Sequence, residues 1–369
     1  MMPEFTGKVG LIQRVLPDYR APFFNALSQT CTEGLGVFAG LPRPQEMIHT
    51  VDHLDEAQLT LGKNIHFLHG GLYLCWQQGL LAWLKDWNPN VLIVEANPHY
   101  LRTSAAVRWM HGRNRTVIGW GLGAPPPSGP LAALRENHRK HFIRQFDAMI
   151  TYSQTGASEY AALGFPSKRI FVAANAVAPP PRTPPPDRPL PGPNSPLKVL
   201  FVGRLQARKN IDNLLHACAA LPPERQPEVV IVGDGPVRAD LQQLAAEIYP
   251  KATFAGALYG EALAEQFQAA DLFVLPGTGG LAVQQAMSHG LPVIAAEADG
   301  TQADLVRAGN GWQITPNDID SLRAALDEAL DDPTRLRAMG KESYRIVVEE
   351  INLEKMVEVF ITALRTVKR

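Results

Sequence analysis

The stretch from Asp271 to Ala295, DLFVLPGTGGLAVQQAMSHGLPVIA, limits the fold more than any other part of the chain. Leu272–Leu275 is a short apolar run bounded by turn residues, the pattern of a parallel strand buried on both faces. Pro276-Gly277-Thr278-Gly279-Gly280 breaks it. Residues 281–289 then predict a helix, with Gly290 as its stop and Pro292 beyond to prevent continuation. Residues 291–295 open the next strand. The bare N–H groups at the helix start, and the glycines beside them, make a site for an anionic group, most simply a nucleotide diphosphate.

The same rhythm of strand, loop and helix runs through the chain. Residues 9–12, 35–39, 90–95, 116–120 and 148–152 predict strands of one sheet, and residues 197–202 and 229–232 begin a second. A length of 369 residues makes two domains the natural expectation. Residues 179–196 are dense in proline with almost no apolar side chains, which predicts an extended, semi-rigid linker. The expected domains are therefore 1–178 and 197–345, with 346–369 as a closing segment that carries an amphipathic helix from Ile351.

In a doubly wound sheet, ligands bind beyond the carboxyl ends of the strands. Tyr19 and Arg20 follow the first strand, so topology places them at a candidate site, with a solvated loop as the alternative. Glu95 ends the strand NVLIVE, and Asn97 and His99 lie just beyond it. In the second half, Gly203-Arg204-Leu205-Gln206-Ala207-Arg208-Lys209-Asn210 follows a strand. Two cations there, Arg204 and Lys209, suit an anionic ligand, with a solvated surface loop as the weaker alternative.

Other segments predict structure rather than chemistry. Residues 72–84 predict a helix with Trp76, Leu80, Trp83, Leu84 and Trp87 near one face as core. Residues 40–70 show no assignable pattern. Gly119, Gly121 and Gly123 do not make a dinucleotide fingerprint, because Pro125–Pro127 follow where a helix should open; a flexible loop is expected instead. The basic helix 131–146, with Arg135, His138, Arg139, Lys140, His141 and Arg144, is either a solvated face or a surface that meets anionic lipid or a charged acceptor. Asp318-Ile319-Asp320 directly precedes a helix and predicts a cap rather than a metal site.

Three blocks together resemble retaining glycosyltransferases of the GT-B fold, family 4: the tail AMSHGLPVIA, the block FVGRL…KN, and the turn Gly233-Asp234-Gly235-Pro236. The run ITYSQTGASEYAALGFPSKRIFVAANAV is similar to that family's end-of-first-domain signature. The positions of the family's two donor-site glutamates hold Gly277 and Gln285. The resemblance implies an α/β protein of two Rossmann-like domains facing a cleft, with the last helix crossing back to the first domain. It implies transfer of a sugar from a nucleotide diphosphate sugar to a glycan, lipid-linked or small-molecule acceptor, with retention and with neither metal nor cofactor. Gly203, Arg204, Gly235, Thr278, Gly279, Gly280 and Leu281 would hold the donor with Lys209, Leu258 would meet the base through its backbone, and Gln285 would hold the ribose. Arg204, Lys209 and Glu95 would be the catalytic groups, Glu95 standing where related enzymes often place a histidine. Tyr19, Arg20, Asn97 and His99 would face the acceptor. A non-catalytic sugar-nucleotide binder and a nucleotide-sugar epimerase are the alternatives for the same fold.

A net charge of −1 offers no electrostatic footprint for nucleic acid. Cys31, Cys75 and Cys218 have no metal-type spacing and read as reduced thiols of a cytoplasmic protein, with the basic helix as a candidate peripheral contact at the inner face of a membrane.

Overall fold

The computed structural model describes residues 3–46, 48–190 and 195–367, and these fall into two compact units. One runs to Pro179 and resumes at Leu353; the other is Pro180–Asn352.

The first unit contains β1 (Val9–Val15), α1 (Ala21–Gln29), β2 (Leu35–Gly40), β3 (Gln58–Phe67), β4 (Leu74–Gln78), α2 (Leu80–Trp87) and β5 (Val91–Glu95). It continues with α3 (Thr103–His111), β6 (Thr116–Gly121), α4 (Ala132–Ile143), β7 (Ala148–Thr151), α5 (Gln154–Ala162) and β8 (Ile170–Val172). Among the described residues its sheet has the order β4-β3-β2-β1-β5-β6-β7-β8. Neighbours pair parallel except β3 and β4. The chain winds outward from β1 to one side, then restarts at β5 on the other, so β1 and β5 flank the point where the direction reverses. In such sheets the crevice at that point is where ligands sit.

The second unit contains β9 (Lys198–Val202), α6 (Ile211–Ala219), β10 (Glu228–Val232), α7 (Arg238–Ile248), β11 (Ala252–Gly256), α8 (Gly260–Ala269) and β12 (Leu272–Leu275). Then come α9 (Leu281–Ser288), β13 (Val293–Ala296), α10 (Gln302–Leu305), β14 (Gly311–Ile314), α11 (Ile319–Asp331) and α12 (Pro333–Glu349). Its sheet is parallel with the order β11-β10-β9-β12-β13-β14, so β9 and β12 flank its reversal point. β12 and β13 are buried along their whole length, as the apolar runs predict.

The closing helix α13 (Leu353–Val367) belongs to the first unit. Leu353, Met356, Val357, Phe360, Ile361 and Leu364 recur at helical spacing and are buried against α1 and the sheet. Each such side chain contributes on the order of 1.5–3 kcal/mol when taken out of water. Leu353 N–H donates to Ala178 O, and Thr116 Oγ1 donates to Val367 O, fixing both ends of the helix. The return starts at Leu353 rather than at 346, because α12 runs to Glu349 with Ile346 and Val347 buried in the second unit.

Other segments depart from the sequence-based expectation. Residues 72–84 are not one helix: β4 and α2 meet at Gly79, and Trp76 lies in β4 with the Arg102 guanidinium 3.7 Å from its ring centroid. Residues 40–70 hold β3. The loop after β6 is tied down, with Ala124 N–H donating to Glu159 Oε2 at 2.8 Å. Of the proline-rich segment 179–196, residues 191–194 lie outside the described residues. Arg188 within it donates to Ala270 O and Phe267 O, so this part lies on the second unit.

Candidate active site

Both reversal points carry the side chains singled out above. In the second unit, β9 ends at Val202, Gly203 and Arg204 follow it, and a single turn, Ala207–Lys209, leads into α6. Lys209 Nζ donates to Thr278 O, and Arg208 Nη1 donates to Thr278 Oγ1 at 2.9 Å. The loops after β9 and β12 are thus stitched together, and Thr278 N–H returns a bond to Arg208 O. Burial, with a smaller push from Arg208, lowers the Lys209 ammonium to about 8. An anion placed there would raise it again.

Two glycines make this contact feasible. A Cβ on Gly277 would lie 2.3 Å from Arg208 O and 2.6 Å from Lys209 Cα and C, so backbone fills the space a side chain needs. Gly279 has φ +154°, and a Cβ there would stand 2.7 Å from Lys209 Nζ. Gln302, 2% exposed, holds the same loop by donating to Gly279 O at 2.8 Å. Gly280 precedes α9, whose first residue is Leu281, so the helix start opens on this loop. Gln285 is exposed on α9. Gly235 packs on Leu205 after β10, and Leu258 is half-buried just beyond β11, both at the carboxyl edge of this sheet. Arg208 and Gln302 were not singled out in the sequence. Arg208 lies inside the FVGRL…KN block as an apparent surface cation, and nothing local marks Gln302.

In the first unit, Glu95 ends β5, and Arg14 N–H at the end of β1 donates to its Oε2. Burial pushes the Glu95 carboxyl up to about 7, against the pull of Arg14 and Arg20. Arg14 in turn pairs with Glu46 at 2.9 Å. Glu95, Asn97, His99 and Tyr100 line a cavity of about 400 Å3, which Arg139 of α4 also reaches. Asn97 Oδ1 accepts from His99 N–H at 3.0 Å, fixing the turn. Arg20 does not line this cavity. It is 8% exposed, stacked over Trp120 and Tyr152 at 5.2 and 5.1 Å, with Nη2 donating to Tyr152 Oη. Tyr19 is exposed beside it and is likewise outside the cavity lining.

Among the described residues no cluster of His, Cys, Asp or Glu could hold a metal ion. Asp318 accepts from Ser321 N–H at 2.9 Å, the geometry of a helix cap.

A family profile described as "Glycosyl transferases group 1" matches residues 187–346. A sulfoquinovosyl transferase from Arabidopsis thaliana is 34% identical over 156 residues, covering 40% of this chain and 29% of that protein. The D-inositol 3-phosphate glycosyltransferase of Nocardia farcinica is 31% identical over 286 residues, covering 72% of this chain and 59% of that protein. The chain thus spans less than two thirds of the length of the curated relatives it matches. Among solved structures, Anabaena HepE in complex with UDP superposes with a TM-score of 0.67 at 16% identity, over 97% of this chain and 99% of that one. A likeness at that identity establishes the fold, which is GT-B.

Proposed function

From the match of residues 187–346 to group 1 glycosyl transferases, we propose that the chain transfers a sugar from a nucleotide diphosphate sugar to a hydroxyl of a glycan, lipid-linked or small-molecule acceptor. The observation that carries this reading is the contact of Lys209 with the glycine loop 276–280 at the reversal point of the second sheet, where Arg204 stands in the same loop after β9. Loss of the sugar leaves charge on the diphosphate, and fixed cations with the α9 N-terminus stabilise it as it develops. Gly203, Thr278, Gly279, Gly280 and Leu281 offer backbone to the phosphates, Gly235 keeps the neighbouring turn close, Leu258 meets the base, and Gln285 bonds the ribose.

The first unit would hold the acceptor in the cavity beside Glu95, Asn97 and His99. Glu95, poised near neutrality, is suited to accept the acceptor's proton or to hold a sugar hydroxyl. Retention, and chemistry without metal or cofactor, follow from the resemblance. No described helix is long and apolar enough to cross a membrane. Leu131 and Leu134, 70% and 64% exposed, stand on the basic segment 131–146 and favour peripheral contact with an anionic lipid surface.

Gly277 and Gln285 favour a second reading, a sugar-nucleotide binder that transfers nothing. Release of nucleoside diphosphate from UDP-, GDP-, ADP- and TDP-sugars, with and without acceptor extract, separates the readings. Acceptor-dependent release supports transfer. An altered sugar from donor alone identifies an epimerase, and no turnover with any donor leaves the binder.

A further inference from the structure

Arg20 lies under the ligand face of the first unit, and its charge has no settled partner there. It is 8% exposed, and Nη2 donates to the Tyr152 hydroxyl, a neutral oxygen, at 3.1 Å. Nη1 is buried with no hydrogen-bond partner. Among the described residues no carboxylate stands within 4.0 Å of the guanidinium. The rings of Trp120, Tyr152 and Tyr19 lie 5.2, 5.1 and 5.8 Å from it and fix its place. Ring faces attract a cation but leave its charge uncompensated, and a buried charge without a counter-ion is costly.

The acid that this charge reaches is Glu95. Glu95 stands opposite Trp120 in the β5–β6 register, so the two side chains leave the sheet on the same face. Arg20 stacks on that Trp120, and its hydrogen-bond partner Tyr152 lines the cavity together with Glu95. Arg14 and Arg20 both pull on the Glu95 carboxyl, against its burial. The two are not equivalent. The Arg14 guanidinium is paired with Glu46 at 2.9 Å, and Arg14 bonds Glu95 through its main-chain N–H. Arg20 has no such competing acid. Tyr152 after β7, Tyr100 after β5 and Cys75 of β4 also face Glu95, and burial keeps all three protonated at neutral pH. His99 and Arg139 line the same cavity.

From this geometry we infer that Arg20 is a positioning residue for Glu95: it meets no substrate, and its charge holds the Glu95 carboxylate in the ionised form beside the acceptor. The Tyr152 hydroxyl and the ring stack hold the guanidinium beneath the carboxylate rather than in the cavity. In the reaction, the acceptor oxygen bonds the anomeric carbon as the bond from that carbon to the diphosphate breaks. Glu95 takes the acceptor's proton, and Arg20 stays protonated throughout. This rests on the reading that the cavity beside Glu95 takes the acceptor.

The test is titration of the Glu95 carboxyl in the ligand-free whole chain, by carbon NMR of glutamate-labelled protein, with the signal identified by its loss in Glu95→Gln. The wild-type midpoint should lie at about 7. Arg20→Gln and Arg20→Met both remove the charge, and Met keeps an apolar stem among the rings. Each should raise the midpoint by about one pH unit, as loss of a nearby opposite charge does. Arg20→Lys keeps the charge and should stay within about half a unit of wild type. Unfolding midpoints show which variants fold. An unmoved carboxyl midpoint in a folded Arg20→Gln or Arg20→Met overturns the inference and leaves Arg20 a packing residue. In acceptor-dependent release of nucleoside diphosphate, the acid limb of the pH profile should move up with the carboxyl, and the rate should recover at higher pH. A limb that stays in place while the rate falls at every pH also overturns it. A raised carboxyl midpoint in a chain without turnover keeps the hold of Arg20 on Glu95 and removes the transferase reading alone.

Discussion

Restoring an acid at position 277 should damage the protein rather than improve it. Gly277 stands where the resembled family has a glutamate, so Gly277→Glu invites the expectation of a regained sugar contact. The structure forbids it for steric reasons alone, since this glycine is not in the left-handed region. The nearest atom to a Cβ is Arg208 O at 2.3 Å, and ordinary contact begins near 3.4 Å, so the Ala207–Lys209 turn must retreat by about 1 Å. The atoms in the way are backbone, which no rotamer change can move. Overpacking of this kind costs about 1–3 kcal/mol. For a unit of the size of Pro180–Asn352, about 2–4 °C is lost per kcal/mol, so the midpoint should fall by about 2–12 °C. The same retreat pulls Lys209 from Thr278 O, so nucleoside diphosphate affinity should drop about tenfold or more. Gly277→Ala isolates the steric part, and Gln285→Glu, on an exposed helix position, should leave the midpoint within about 2 °C. Differential scanning calorimetry and isothermal titration calorimetry measure both quantities. If Gly277→Glu kept the wild-type midpoint and affinity, the close approach of the two loops would be refuted.

Lys209 titrates near 8 in the free protein, so a bound diphosphate should draw in a proton between about pH 8 and 10. Titration calorimetry in buffers of different ionisation enthalpy will detect it. Its native value is depressed, so the unfolded chain binds more protons in that window, and the ligand-free protein should gain stability as pH rises through it. The Glu95 carboxyl is shifted the other way, to about 7, so its contribution to stability is full below the unfolded value and is lost as pH rises through 7. Glu95→Gln should therefore be more stable than wild type above pH 7 by denaturant titration, and turnover by the wild type should rise through the same pH if the carboxylate acts as base. Asp318→Ala should cost about 1 kcal/mol of stability as a lost cap, with donor turnover unchanged in the presence of chelator.

Much of the second unit was legible because parallel strands buried on both faces are continuous apolar runs. Leu272–Leu275 and Val293–Ala296 could hardly read otherwise, and the turns between them announce themselves with glycine and proline. The β3–β4 hairpin hid for the opposite reason. β3 is only partly buried, so QLTLGKNIHF alternates poorly, and Gly62 gives way to the Phe38 ring. In β4 and α2 the spacing of Trp76, Leu80, Trp83 and Trp87 imitates a helix; Gly79, at φ +89°, is where the strand turns into one. The candidate site divides in the same way. Arg204 and Lys209 follow a buried strand in a contiguous block, so position alone marks them. The role of Gly277 depends on Arg208 and Lys209, about seventy residues away in sequence. Gln302 lies in a four-residue helix, and only the fold brings it to Gly279. Arg20, expected at the ligand face, is drawn under it by the rings of Trp120 and Tyr152.

The central claim is that Arg204 and Lys209 hold a nucleoside diphosphate, and the most direct measurement is calorimetric titration of the wild type and the Arg204→Ala, Lys209→Ala double variant with UDP, GDP, ADP and TDP. The wild type should bind one base clearly better than the rest, gaining about 2.7 kcal/mol of stability at a hundredfold excess over Kd, and the variant should lose that binding while unfolding at a similar temperature. Equal binding by wild type and variant, or no binding of any of the four by a folded wild type, would contradict the account.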